Sequence, residues 1–360
     1  MNRRKFLKTS TLAVPAVVTG INRVSHLPQQ DKPLIIDAMG EIRLDYPMDL
    51  IDEILDSGIN VVRITLGDPT LHGPEAFDDA LQAIKEYDRH IDTHRNHFLM
   101  ATRGEDIDRA KKEGRLALMV LFQNTTPIGD ESEKLDFFYN LGVRSMQLTY
   151  NTRNLVGDGC MERTHSGLSE FGLKVVDRMN SLGMLIDLSH TCMATMADAI
   201  QFSKKSVMIS HSGCRAVYDH PRNTTDENLR ALADKDGVIG IYQINPFIGP
   251  KDRNSLDDYL NHIDHAVRVA GIDHVCIGSD REHRAIPDTI EEQRKLEEEL
   301  TNYYPDKSQK IHWPFFISEL NHPRRMVTIW KGLEKRGYRT GDIEKIMGKN
   351  CYRVWKVVHG

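Results

Sequence analysis

Short apolar runs alternate with longer stretches of helical spacing along most of the chain. The apolar runs are Leu34–Met39, Asn60–Leu66, Leu116–Phe122, Ser145–Tyr150, Leu185–Leu188, Val207–Ile209, Gly237–Ile244 and His274–Ser279. Runs this short, bounded by Gly and polar residues, predict buried strands. Helical spacing falls between them, over Met48–Ser57, Pro74–His94, Ser132–Leu141, Ala194–Phe202 and Leu256–Ala270. The helix after strand four is marked at both ends. Ser169 can cap it, Phe171, Val175, Val176, Met179 and Leu182 repeat along one face, and Gly183 stops it. Thr224-Thr225-Asp226-Glu227 reads as a capping box for a helix to Ala233. Ile290 to Gly360 reads as largely helical, broken by an aromatic, Pro-bearing loop over His312–Phe316.

This alternation predicts an α/β fold, a (β/α)8 TIM barrel with a C-terminal helical extension. A doubly wound open sheet is the alternative. The chain has no G-x-G-x-x-G turn and no Walker loop, so nothing in it points to a dinucleotide or a nucleotide phosphate. It also has no internal repeat and no low-complexity segment.

The stretch from Gly183 to Asn223 carries the chemistry. It holds two consecutive strands, each ending in a histidine, His190 and His211. In a parallel α/β protein such ends lie side by side at the mouth of the sheet, where ligands bind. Two imidazoles at equivalent points suggest a metal site; histidines that merely cap loops are the plainer alternative. The loop Asn151–Gly167 after strand four is Gly-rich and longer than most connections, which points to function.

Composition narrows the picture. A chain of 360 residues with 40% hydrophobic content can bury a full core, and a net charge of −5 gives no reason to expect nucleic acid or an anionic membrane surface. Asn2-Arg3-Arg4-Lys5-Phe6-Leu7-Lys8 resembles the bacterial twin-arginine export signal. The apolar run behind it, Leu12–Ile21, is shorter than the about 20 residues a stable membrane span needs. The expectation is a signal and linker over residues 1–30, one domain over 31–360, and an exported, periplasmic protein. No clear A-x-A cleavage site follows, so an uncleaved anchor stays open. The five cysteines form no C-x-x-C pair, and in an exported protein an odd count leaves a thiol unpaired. Cys192 and Cys214, just beyond the two histidines, could approach each other or a metal.

Several ordered pieces carry a resemblance: GLSEFG at 167–172, LGMLIDLSH at 182–190, ISHSGCRAV at 209–217, HPRN at 220–223, IGSD at 277–280 and IEKIMGKNCYRVW at 343–355. Together they resemble the membrane dipeptidase, or renal dipeptidase, family of zinc-dependent barrel peptidases. The resemblance implies two zinc ions bridged by a glutamate, with His190 and His211 on the second zinc. It implies that Arg222 binds a dipeptide carboxylate and that Asp280 handles protons. The physical sense is that zinc lowers the pKa of bound water to roughly 7, and a guanidinium fork reads a carboxylate.

The chain departs from the family pattern at four points. Met39 stands where the family has a zinc-binding histidine, Glu41 where it has an aspartate, Gln123 where it has the bridging glutamate, and Tyr150 where a substrate-facing histidine falls. Carboxylates of Gly157–Arg163 and the charged run Arg281–Arg284 could compensate. The resulting expectation is a hydrolase of dipeptides or related small amides. His190, His211, Gln123 and Glu41 would be metal ligands to one divalent ion per chain, zinc as the resemblance implies. Asp280 and Tyr150 would be catalytic, and Arg222, Tyr150 and Asn223 would bind an anionic, dipeptide-like small molecule. A homodimer stays open, as do two alternatives: a divergent hydrolase of another small substrate, and a binding protein that kept the pocket and lost catalysis.

Overall fold

The strands, in chain order, are β1 Ile36–Asp37, β2 Gly40–Glu41, β3 Val61–Thr65, β4 Phe98–Met100, β5 Leu116–Phe122, β6 Ser145–Gln147, β7 Leu185–Asp187, β8 Met208–Ser212, β9 Val238–Ile241, β10 Val275–Ile277 and β11 Arg281–Glu282. The structure, a computed structural model, describes residues 32–301, 303 and 312–360, so the export signal and its linker lie outside the described residues. Eight strands form one continuous path, β1-β3-β5-β6-β7-β8-β9-β10, and every pair in it is parallel. The two ends of the path meet. Ala38 N donates to Ile277 O at 2.8 Å, and just beyond, β2 pairs in parallel with β11. The buried Asp37 laces this seam, accepting from Ser279 N at 2.8 Å and meeting His283 Nε2 at 2.9 Å. The result is a nearly closed eight-stranded parallel barrel with a C-terminal helical extension.

The local signals act where the sequence puts them. Ser169 Oγ accepts from Gly172 N at the head of helix Glu170–Leu182, and Gly183 ends that helix in the left-handed region at φ 73°. Thr225 caps Asp226–Asp234 by accepting from Asn228 N. Among the additional elements are β4, which pairs with the first half of β5, and the helix Gly104–Glu113 that follows it. Three apolar residues are too few to show a period.

Alternate strand residues face the barrel axis. At the amino end, Val61, Ala117, Leu185, Met208, Val238 and Cys276 pack with Trp355 and Val358 of helix Asn350–His359, which closes that end. The next level up is polar. Arg63 crosses the barrel to Ala38 O at 2.9 Å, Ser145 Oγ at 2.7 Å and Asp187 at 3.5 Å, all fully buried. The barrel is narrow here, since a Cβ on Gly278 would lie 1.8 Å from Ser210 O. The outward residues, such as Val62, Ile64, Leu118, Val120 and Ile209, form the larger core beneath the helices. This arrangement leaves the carboxyl ends of the strands free to carry side chains for binding. Among the described residues no helix is long and apolar enough to cross a membrane.

Candidate active site

A cavity open to solvent sits at the carboxyl ends of the strands, and Glu41, Gln123, Tyr150, His190, Arg222 and Asp280 all line it. These are six of the eight expected site residues. His211 is fully buried directly behind His190. Asn223 does not line the cavity. Its amide donates to Tyr218 O and Phe247 O, and its oxygen accepts from Tyr242 Oη, so it braces the loop that carries Arg222.

Five of these residues come from in or just beyond strand ends, and Arg222 from the loop after β8. Gln123 follows β5, Tyr150 follows β6, His190 follows β7, His211 lies in β8, and Asp280 follows β10. Three residues here adopt left-handed backbones without being glycine: Asn151 (φ 56°), His190 (φ 61°) and Asp280 (φ 55°). That conformation is uncommon for bulky side chains and tends to persist where neighbours enforce it.

The His190 ring is oriented by Asn151. Asn151 Nδ2 donates to Tyr303 O at 2.8 Å, which turns its oxygen toward His190 Nδ1 at 2.7 Å. An amide oxygen only accepts, so Nδ1 carries the proton and Nε2 presents a lone pair to the cavity. That Nε2 lies 3.0 Å from His211 Nε2 and 2.9 Å from Arg222 Nη2. His211 Nδ1 is held by Ser210 Oγ at 2.8 Å. Burial, with the positive charge of Arg222 second, drives both histidines well below the usual range, so both are neutral at neutral pH. Tyr150 stacks on the His190 ring, 4.1 Å between centroids.

The charged groups divide into two sets. Inside, Asp280 Oδ1 lies 3.9 Å from His211 Nε2; burial raises its pKa to about 6 against the pull of Arg222, and Asp37 adds to the rise. Arg222 is buried, and its Nη1 has no partner among the described residues. At the rim, Arg43 reaches Glu282 at 2.7 Å, Glu299 at 2.9 Å and Glu41 at 3.2 Å. Glu41, expected as a metal ligand, thus faces Arg43. Its pKa rises to about 7 through burial, opposed by Arg43 and helped by Glu282, Glu299 and Asp280, although 35% of its side chain is accessible from the cavity. We attribute the rise to the crowd of carboxylates, since the accessible part limits the desolvation. Glu299 belongs to helix Ile290–Thr301, which crosses the mouth; Leu296, Leu300 and Tyr303 line the cavity from the same side.

The loop carboxylates do not join the site. Asp158 pairs with Arg153 at 2.5 Å, and Glu162 accepts from the backbone of Arg153 and Arg163. All five cysteines are free and buried. Cys192 caps helix Met193–Phe202 and Cys214 donates to His262 O, so neither reaches the cavity. Arg281 does line it. Burial, with Arg325 second, lowers the Arg281 pKa to about 9. Asn151, Ser210 and Arg43 escape a reading of the sequence. The only local hints are that Asn151 directly follows Tyr150 and Ser210 directly precedes His211.

The imidazole pair tests whether a metal fits. His190 Nε2 and His211 Nε2 stand 3.0 Å apart, two ring nitrogens of the type that ligate a divalent ion, and Arg222 Nη2 holds the His190 nitrogen at 2.9 Å. Among the described residues no three of His, Cys, Asp and Glu gather as a ligand set. The two imidazoles are the donors a metal would find here.

A parallel barrel with imidazoles, a carboxylate and a guanidinium at its carboxyl mouth belongs with the barrel amidohydrolases, and the solved structures agree. An amidohydrolase from Pseudomonas aeruginosa superposes with a TM-score of 0.82 at 28% identity, covering 92% of this chain and 98% of that one. A metallo peptidase from Rhodobacter sphaeroides, liganded with a phosphinate mimic of L-Ala-D-Ala, shares the fold with a TM-score of 0.75 at 17% identity, over 91% of this chain and 100% of its own. Within that class, the membrane dipeptidase family (peptidase family M19) matches residues 50–304, and the chain belongs to it. An uncharacterised dipeptidase of Schizosaccharomyces pombe is 30% identical over 77% of this chain and 62% of its own length. The dipeptidase tcpJ of Claviceps purpurea is 28% identical over 78% of this chain and 60% of its own. The chain spans about half to three-fifths of the length of the curated relatives it matches. Membership of this metallopeptidase family implies a metal.

Proposed function

We propose that the chain hydrolyses dipeptides or related small amides that end in a carboxylate. The carrying observation is the buried Arg222 guanidinium, with Nη1 unpartnered among the described residues, beside the neutral His190 and in one cavity with Asp280. Arg222 offers the substrate carboxylate a bidentate fork. Asp280, next to His211, takes a proton from the attacking water and passes it to the leaving amine. Tyr150 packs on His190 and borders the amide. A divalent ion, zinc by the nitrogen donors, would be held by His190 and His211 with Gln123 beside them, and it supplies Lewis-acid activation of water. The relatives, which are named dipeptidases, and the dipeptide mimic on the Rhodobacter enzyme support this reading.

The direct test is turnover of a dipeptide panel by purified protein. Arg222→Ala is expected to raise KM, with a loss of about 2–5 kcal/mol in kcat/KM that lysine does not restore. Undiminished activity in the alanine variant would sink the assignment. Elemental analysis should find no more than one ion per chain, and Gln123→Glu with Met39→His should raise that content; two ions on the wild type would overturn the one-ion proposal. The alternative of a metal-free binding protein draws on one observation, the placement of Arg222 Nη2 on the His190 lone pair. A metal-free protein that binds dipeptides without cleaving them would establish it. We propose further that the chain is exported through Arg3-Arg4. Exchange of both for lysine should hold it in the cytoplasm, and unchanged delivery would refute that route.

A further inference from the structure

A second guanidinium lines the same cavity, and the proposed dipeptidase reading gives it no work. Arg281 is 3% exposed, and it lies on β11 beside Asp280. Its Nη2 donates to Asn321 Oδ1 at 3.2 Å, an oxygen that already accepts from Ile286 N at 2.9 Å. Its plane sits over the Phe316 ring, 5.4 Å from the centroid. Its Nη1 is buried without a partner among the described residues, and no described carboxylate lies within ion-pair distance. The nearby carboxylates are committed elsewhere: Glu282 to Arg43 and Arg284, and Asp280 toward His211. A buried charge without a counterion is costly, and a neutral amide and an aromatic face offset only part of that cost.

We infer that Arg281 reads a second anionic group on the substrate. With Arg222 already assigned to the terminal carboxylate, the cavity presents two guanidinium groups that each leave an Nη1 without a partner among the described residues. The ligand class that satisfies both is a small amide with two carboxylates, such as a dipeptide carrying an Asp or Glu side chain. This rests on the dipeptidase reading, and a binding measurement separates the two.

The experiment compares isosteric pairs, Ala-Asp with Ala-Asn and Ala-Glu with Ala-Gln. The wild type is expected to favour the acid over its amide by about tenfold or more in kcat/KM, carried mainly by KM. Arg281→Met, which keeps bulk and removes charge, should collapse that ratio to near one, and Arg281→Lys should restore part of it. A wild-type ratio near one, or a ratio unchanged in Arg281→Met, overturns the inference. If the methionine variant fails to fold, the wild-type acid-to-amide ratio still decides. If no dipeptide is turned over, the dipeptidase reading falls. Calorimetric binding of glutarate against its monoamide then carries the test: tighter binding of the dianion supports the second anion site, and equal binding removes it.

Discussion

His190 owes its orientation to a neighbour that is remote in sequence. Its left-handed backbone, φ 61°, would not by itself aim the ring, but Asn151 Oδ1 at 2.7 Å fixes the tautomer and Tyr303 O fixes the flip of Asn151. Groups that orient a ligating or catalytic imidazole in this way typically matter about 10- to 100-fold in metal affinity or activity. Asn151→Ala should therefore lower kcat/KM by about that factor. Asn151→Asp, which keeps the acceptor, should recover most of it. Equal loss in both variants, followed by kinetics and circular dichroism, would show that Asn151 acts by packing alone. His211 is secured differently, by the hydroxyl of the adjacent Ser210. The pair is thus presented by one long-range contact and one local contact.

Among the elements, the loop Asn151–Gly167 behaves as a braced arm. Asp158 is its anchor, holding Arg153, Thr164 and Ser166 N, and these bonds draw its pKa from the ordinary 3.8 down to about 2, with Arg153 the largest cause. A carboxylate with a depressed folded-state pKa adds stability that is full above its unfolded value and fades as pH falls through the folded value. The advantage of the wild type over Asp158→Asn should therefore be present at pH 6 and shrink from about pH 4 toward pH 2. Thermal melts at these pH values check it, and a gap that widens on acidification would contradict the assignment. Anchoring this arm positions Asn151 and Met161, which border the cavity. Helix Ile290–Thr301 is tied across the mouth by Arg43–Glu299 and Arg284–Glu292. Pairs as exposed as Arg43–Glu299 stabilise by only about 0–1 kcal/mol, so they set position more than stability.

For the molecule as a whole, the polar level of the barrel matters most. Arg63 and Asp187 face each other at 3.5 Å with both side chains out of water, and Asp187 Oδ1 also accepts from Ser189 N and Ser210 N, next to the two histidines. Arg63→Ala would strand a buried carboxylate and is expected to cost about 3–5 kcal/mol. Arg63→Met with Asp187→Asn should cost less than the sum of the single changes. Urea unfolding measures both, and strict additivity would show that the pair is not coupled. By itself the sequence determined the strand–helix alternation, the ends of helix Glu170–Leu182 and the placement of His190 and His211 at the close of successive strands. Residues a few positions apart encode such features through periodicity, caps and stops. Only the tertiary structure decided the rest. The seam joins Asp37 to His283 across 246 positions through strands of two residues, and β4 exists as a strand because β5 pairs with it. Asn151 finds His190 across 39 positions, Glu41 turns to Arg43, Asn223 turns into its own loop, and Arg281 comes to line the cavity. None of these leaves a local pattern. The seam and the place of Arg281 depend on closure of the barrel, and the other contacts on how neighbouring strand ends and their loops pack.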